Sequence, residues 1–243
     1  MKVVVIIQAR MGSTRLPGKV LKDLEGETVL ARVVNRLRRS QRISELLVAT
    51  TDRPADDAIV AECRKCAVPV SRGAEDDVLD RYFRAAQLAQ AKVVVRVTSD
   101  CPLIDPEIVD KTIAAFLAAG PDYASNVLER TYPRGLDVEV MSFDALARTW
   151  HSARRPYERE HVTPYIYEHP AEFKLLSVTG DADHSAYRWT LDTPEDMEFV
   201  RAVYAQLRDM PAFSWRDILE LTNRSPELTE LNRSVMQKAL HEG

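Results

Sequence analysis

Short β-rich runs and longer helical stretches alternate through the first half of the chain, and this order constrains the fold more than any other feature. The runs are Val3 to Ile7, Leu46 to Thr51, Val68 to Ser71 and Val93 to Thr98. Between them lie helical patterns over about 28–39, 54–65 and 76–90, and a further helix opens at Asp105-Pro106-Glu107. Strands joined by helical crossovers pair in parallel, with right-handed connections. In open sheets of this kind ligands bind outside the carboxyl ends of the strands, so the residues that follow each strand are the first candidates for a site. After about Tyr123 the alternation breaks. Leu136 to Met141 and Glu172 to Thr179 read as strands, and Phe143 to Ala153 and Glu158 to Glu168 as helices. From Pro194 to Met210 the apolar positions Met197, Val200, Val203, Tyr204 and Leu207 keep a helical period, which predicts a helix packed back on the sheet. Ser225 to Leu240 could form a terminal helix that packs on a partner.

Composition removes several alternatives. With 243 residues and 45% hydrophobic side chains the chain can bury a substantial core. No apolar run approaches the roughly 20 residues that span a bilayer, and Val3 to Ile7 is too short for a signal peptide. A soluble, cytoplasmic protein without a membrane partner is expected. Its three cysteines form no disulfide-rich pattern, which agrees with a reducing compartment. Cys63-x-x-Cys66 lacks a second pair or a nearby histidine and reads as structural. A net charge of −4 with well-mixed signs argues against nucleic acid as a partner. The cluster Arg36, Arg38, Arg39 and Arg42 falls where a helix should end and reads as a solvated end that complements the helix dipole.

Three segments could carry chemistry. Directly after the first strand, Gln8-Ala9-Arg10-Met11-Gly12-Ser13-Thr14-Arg15-Leu16-Pro17-Gly18-Lys19 combines glycines, hydroxyls and three cations. Glycine lets backbone amides approach an anion, and Arg10, Arg15 and Lys19 can neutralise a polyphosphate. The loop is neither a Walker motif nor a dinucleotide turn, and on composition alone a solvated basic loop is the alternative. Asp100 follows the fourth strand and is not needed as a cap, because Asp105 and Pro106 already start the next helix. Asp192 precedes a capping box made by Thr193 and Asp196, with Pro194 at the first helical position. That position usually holds an apolar residue, so Asp192 is a second candidate metal ligand. A cationic loop plus two separated aspartates is equipment for nucleotidyl transfer with magnesium, which needs only one or two carboxylates beside phosphate oxygens and water.

These segments resemble the signature regions of the cytidylyltransferases that activate sugar acids, the family of the 3-deoxy-manno-octulosonate and acylneuraminate enzymes. The resemblance is nearest to the spore coat polysaccharide biosynthesis protein F group, through Ser99 to Pro106, Tyr132 to Glu139 and Glu158 to Tyr165, and it extends to about Phe199. It implies an α/β fold of the nucleotide-diphospho-sugar transferase type, Rossmann-like and GT-A-like, with a mixed sheet flanked by helices. It also implies one domain over 1–243, with a nucleotide-binding half to about 122 and a half for sugar binding and possible dimerisation from about 123. The implied reaction transfers CMP from CTP to a sugar acid, with Mg²⁺ as cofactor and release of pyrophosphate. By the resemblance, Arg10, Arg15 and Lys19 hold the triphosphate with Ala9, Gly12 and Ser13, and Asp100 and Asp192 hold the metal. Arg10, Lys19, Asp100 and Asp192 form the catalytic set. Thr51, Asp52, Arg72 and Gly73, with Asp77, Asp80 and Arg81 as weaker members, line the cytidine pocket. A homodimer is possible. Two departures stand out: better-characterised relatives carry Pro where this chain has Gln8, and Gly-Asp where it has Ser99-Asp100.

The sugar is expected to be read by Arg134, Asp137, Glu139, Glu160 and His161. Period two would send Asp137 and Glu139 to one face of a strand, which is either a site or solvent. Glu158, Glu160 and His161 sit at a helix start, where acids are favoured whether or not they bind anything. A nucleotidyltransferase for another nucleotide or acceptor, or a non-catalytic module that binds a nucleotide sugar, carries much of the same equipment.

Overall fold

The structure, a computed structural model, describes residues 1–237. β1 (Val3–Gln8) runs into the cationic loop, which closes in a 3-10 turn at Lys19–Leu21. A two-stranded hairpin follows, β2 (Asp23–Leu24) and β3 (Glu27–Thr28), then α1 (Val29–Leu37), β4 (Glu45–Thr51), α2 (Asp57–Lys65) and β5 (Val70–Gly73). The first half ends with α3 (Val78–Leu88), β6 (Val93–Thr98) and α4 (Pro106–Ala119). The second half holds β7 (Tyr123–Ser125), β8 (Glu139–Ser142), α5 (Phe143–Ser152), α6 (Pro156–His161), α7 (Pro164–Glu168) and β9 (Leu175–Ser177). It closes with α8 (Pro194–Gln206), α9 (Trp215–Arg224) and α10 (Glu227–Glu230).

The large sheet runs β5-β4-β1-β6-β8-β7-β9. β8 is antiparallel to both its neighbours, and the remaining pairs are parallel. This is the mixed α/β sheet that the sequence implies. β1 is an interior strand, between β4 and β6, with Val3 to Ile7 buried, as expected of a strand covered on both faces. Side chains alternate between two cores. One gathers Val3, Val5 and Ile7 with residues of α1, α4, α8 and α9. The other gathers Val4 and Ile6 with residues of α3, α5 and α7.

Cap chemistry fixes the helix starts. Asp105 accepts from the Glu107 amide with Pro106 at the first position of α4, and Thr193 and Asp196 form the anticipated capping box of α8. Elsewhere the structure departs from the sequence reading. The strand expected from Leu136 begins only at Glu139, and Arg134 to Val138 form a turn and an extended loop. The helix expected over Glu158 to Glu168 is two, because Val162 adopts φ 73° and Pro164 starts a new helix. Of Ser225 to Leu240, the described residues are helical only at Glu227–Glu230, and residues 238–240 lie outside the described residues.

Arg36 corrects the reading of a solvated helix end. It is 5% exposed, donates to the Ile104 and Phe213 carbonyls at 2.6 and 3.2 Å, and lies over the Phe213 ring. The helical period places it on the face of Val29 and Val33, which points into the core. Arg38 and Arg39 also donate to backbone carbonyls, at Ala67 and Ala212. Cys63 is a core residue whose thiol is pushed up by burial to about 12, and Cys66 caps the end of α2.

One close approach ties the turn before β8 to the segment that leads to Asp192. Gly135 has φ 106°, and a Cβ there would lie 2.6 Å from the backbone of Trp189 and Thr190. Around it Arg134 donates to the Tyr187 carbonyl, and Trp189 donates to that of Arg134 at 2.7 Å. Gly135→Ala adds both a clash and left-handed strain, so we expect a loss of about 2 kcal/mol or more in urea unfolding. An unchanged midpoint would show that this contact does not hold the segment leading to Asp192.

Candidate active site

At the carboxyl end of the sheet, Lys19 joins three segments. Its ammonium donates to Asp100 Oδ2 at 2.8 Å, to Asp192 Oδ1 at 2.8 Å and to the Leu191 carbonyl at 2.9 Å. Gly18, with φ 65°, makes the left-handed step that starts the turn carrying Lys19. The backbone holds the two aspartates near each other: the Leu191 amide and the Thr190 hydroxyl both donate to the Asp100 carbonyl, at 2.8 and 3.2 Å. Asp192 Oδ2 is met by Arg15 at 3.1 Å and Arg188 at 2.9 Å. Burial works to raise the Asp100 pKa, but the adjacent ammonium outweighs it and holds the carboxyl well below the usual range. Burial likewise works against the charge on Lys19, yet Asp100 and Asp192 leave its pKa above the ordinary lysine value.

Two carboxylates aimed at one cationic centre are what a divalent ion would need. The described residues contain no group of three or more His, Cys, Asp or Glu suited to a metal. A magnesium site made from two carboxylates, phosphate oxygens and water fits this donor set.

Arg188 was not singled out in the sequence. It bridges Asp192 and the fully buried Asp196, which also accepts from Asn232 and from the Asp192 amide. A lone arginine between two aromatic residues gives no motif.

The cationic loop is anchored by another residue that sequence reasoning passed over. Asp56 is 1% exposed and accepts from the Met11 amide at 2.8 Å through Oδ1. Its Oδ2 accepts from the Thr50 and Thr51 hydroxyls at 2.9 and 2.6 Å and from the Thr51 amide at 3.1 Å. Thr51, expected in the cytidine pocket, is therefore committed to the frame. Asp56 reads in the sequence as an ordinary acid in a helix's first turn, so only the fold reveals it. Further along the loop, Gly18 donates its amide to the Met11 carbonyl, and the Leu16 amide donates to the Ser13 hydroxyl at 3.3 Å. Ala9 is buried, and Gly12 is exposed.

Beyond the ends of β4 and β5, Arg72 donates to the Thr51 and Arg53 carbonyls and to Asp57, while Asp52 is exposed beside it with its amide bonded to the Gly73 carbonyl. Arg81 is 2% exposed and donates to the carbonyls of Ala74 and Glu75. These arginines shape the rim through the backbone. Asp77 caps α3 and accepts from Arg159 at 2.6 Å. Asp80 receives the Trp150 indole N–H.

On the other side, Glu139 is 5% exposed, with both oxygens engaged. Oε1 accepts from the Tyr123 and Thr163 hydroxyls at 2.6 Å each, and Oε2 accepts from Arg96. Asp137 pairs with Arg130 through both oxygens. Half-buried Arg134 has its pKa lowered by burial first and then by Arg130. Arg10 is exposed and lies 3.9 Å from Glu160 and 4.0 Å from Glu75. His161 ends α6.

The sequence model of a cytidylyltransferase family matches residues 4–219. The chain is 38% identical over 229 residues to the spore coat polysaccharide biosynthesis protein SpsF of Bacillus subtilis, covering 91% of this chain and 94% of the relative. A cytidylyltransferase structure from Leptospira borgpetersenii superposes with a TM-score of 0.92 at 36% identity, covering 98% of this chain and 100% of that one. CMP:2-keto-3-deoxy-manno-octonic acid synthetase, solved with CTP, shares the fold at a TM-score of 0.67 and 21% identity, covering 85% of this chain and 99% of that one. Among the described residues no helix is long and apolar enough to cross a membrane.

Asp56→Ala leaves two buried hydroxyls and the Met11 amide without their acceptor. We expect a loss of about 3 kcal/mol in urea unfolding and weaker stabilisation by CTP than in wild type. Hydrogen bonds hold the Asp56 pKa below its ordinary value despite burial, which works the other way. A depressed folded-state pKa contributes stability above the unfolded value of about 4 and loses it as pH falls through the folded value. The variant should therefore show a shallower loss of stability below about pH 4; a slope identical to wild type would contradict this assignment.

Proposed function

The chain belongs to the cytidylyltransferase family, and from that premise we propose that it transfers CMP from CTP to a sugar acid, releasing pyrophosphate. The observation that carries the proposal is the convergence of Lys19, Arg15, Asp100 and Asp192 at the carboxyl end of the parallel strands. The relatives named for 3-deoxy-manno-octulosonate and for spore coat polysaccharide support a sugar acid destined for a surface polysaccharide as the acceptor.

In this reading Arg10, Arg15 and Lys19 bind the triphosphate, and the loop amides near Gly12 and Ser13 orient it. The rim formed by Asp52, Arg72 and Gly73, with Arg81 beneath, takes the cytidine. Arg134, Glu160 and His161 border the acceptor. A hydroxyl of the sugar acid attacks the α-phosphorus, the new O–P bond forms as the bond to the β-phosphate oxygen breaks, and the hydroxyl proton passes to solvent or a nearby base. Mg²⁺ held by Asp100 and Asp192 would offset the charge of the triphosphate. The chain's own contribution is positioning and charge neutralisation, which suits phosphoryl chemistry that needs little covalent help. Asp192 and Asp196 stand one helical turn apart with different roles: Arg188 and Asn232 hold Asp196 inside, while Asp192 faces Lys19. The proposal includes a cytoplasmic enzyme that pairs as a homodimer, which sedimentation would test.

Pyrophosphate release should appear with CTP, Mg²⁺ and a sugar acid, fall to background with EDTA, and be far weaker with ATP, GTP or UTP. Asp100→Asn should lower kcat by at least about 100-fold. Equal turnover with another nucleotide would redirect the proposal to that nucleotide. Nucleotide binding without turnover of any sugar acid would favour a non-catalytic module.

A further inference from the structure

We propose that Gln8 is a specificity-determining residue for the acceptor and donates its side-chain N–H groups to the carboxylate of the sugar acid. This inference rests on the sugar-acid reading above. Gln8 is the last residue of β1 and its only residue that is not buried. Its Oε1 accepts from Arg96 at 3.2 Å. A guanidinium has no acceptor, so this contact fixes which end of the amide faces Arg96 and turns the NH₂ end away from it. No acceptor among the described residues takes those two N–H groups.

The support beneath Gln8 is a hydrogen-bonded chain. Arg96 pairs with Glu139, whose other oxygen accepts from Tyr123 and Thr163. Four segments remote in sequence thus converge to set one amide: β6, β7, β8 and the loop between α6 and α7. A buried ion pair contributes little net stability, and its better-attested use is to specify one arrangement. Here the arrangement specified is the orientation of Gln8.

Sheet order separates acceptor from nucleotide. Thr51, Asp52, Arg72 and Gly73 belong to β4, β5 and their ends, on one side of β1. Arg96 and Glu139 belong to β6 and β8, on the other side, and Gln8 leans toward them. Glu139 therefore acts on the acceptor through Arg96 and Gln8 and is a positioning residue. A hydrogen bond from an amide N–H to a carboxylate is charge-assisted and stronger than one to a hydroxyl, and the sugar acid's carboxylate is therefore the group assigned to Gln8.

The test compares steady-state kinetics of wild type, Gln8→Leu and Gln8→Glu with CTP and 3-deoxy-manno-octulosonate, followed by N-acetylneuraminate if the first is not turned over. Gln8→Leu should raise the KM for the sugar acid at least about tenfold, the loss of a hydrogen bond to a charged group. The KM for CTP and CTP-induced thermal stabilisation should stay as in wild type. Gln8→Glu keeps an acceptor for Arg96 but sets a carboxylate against a carboxylate, so its KM for the sugar acid should rise further. An unchanged acceptor KM in Gln8→Leu, or a shift in the KM for CTP instead, overturns the proposal. A Gln8→Glu variant that binds the sugar acid as well as wild type also overturns it, because the group recognised would then be a hydroxyl donor. If wild type turns over neither sugar acid, the sugar-acid reading fails and this inference with it; a failure confined to the variants leaves that reading standing.

Discussion

The ammonium of Lys19 is the point on which this architecture depends. It touches Asp100 and Asp192, which are 81 and 173 residues away in sequence, and it is itself only 12% exposed. A charge taken this far from water is costly unless paired, and a carboxylate left beside it without a partner is equally costly. Each group is therefore held by the other two. The order of the sheet brings β1 next to β6, so that the cationic loop meets the aspartate at the end of β6. The turn around Gly135, backed by Trp189, delivers the segment ending in Asp192 to the same place.

Around this centre the fold divides labour among its acids. Asp56 and Glu139 are both nearly inaccessible, and both accept from several protein donors. Neither is free to meet a ligand directly. Asp56 sets the start of the cationic loop, and Glu139 sets Arg96 and through it Gln8. Asp196, buried under Arg188, performs the same service for Asp192. Such supporting groups hold the loop in one arrangement, and preorganisation of this kind reduces the ordering that a ligand must impose.

Much of the fold is legible in the sequence. β1 and β6 stand out because their runs of valine and isoleucine are buried on both faces, and β6 occupies the span Val93–Thr98 expected of it. α8 is legible because its cap, its proline and its apolar period agree. The missed elements carry weaker signals: β7 has three residues, the β2–β3 hairpin has two per strand, and α9 follows closely on the end of α8. In the site, Asp100 and Asp192 could be singled out because neighbouring residues already account for the helix caps. Asp56, Arg96 and Arg188 could not: Asp56 and Arg96 act through partners in other elements, and Arg188 joins Asp192 and Asp196 from a loop that carries no recognisable motif. Arg36 shows the opposite error: four arginines in a row of seven residues look solvated, although the helical period turns one of them inward.

The central proposal is that Asp100 and Asp192, brought together at Lys19, are the carboxylates that would hold a divalent ion beside the triphosphate. A crystal structure with CTP and Mn²⁺, read by anomalous scattering, tests it most directly. The account predicts an anomalous peak within coordinating distance of both carboxylates, with the Lys19 ammonium moved onto the phosphates. A metal bound away from both aspartates, with Lys19 still bridging them, would contradict it.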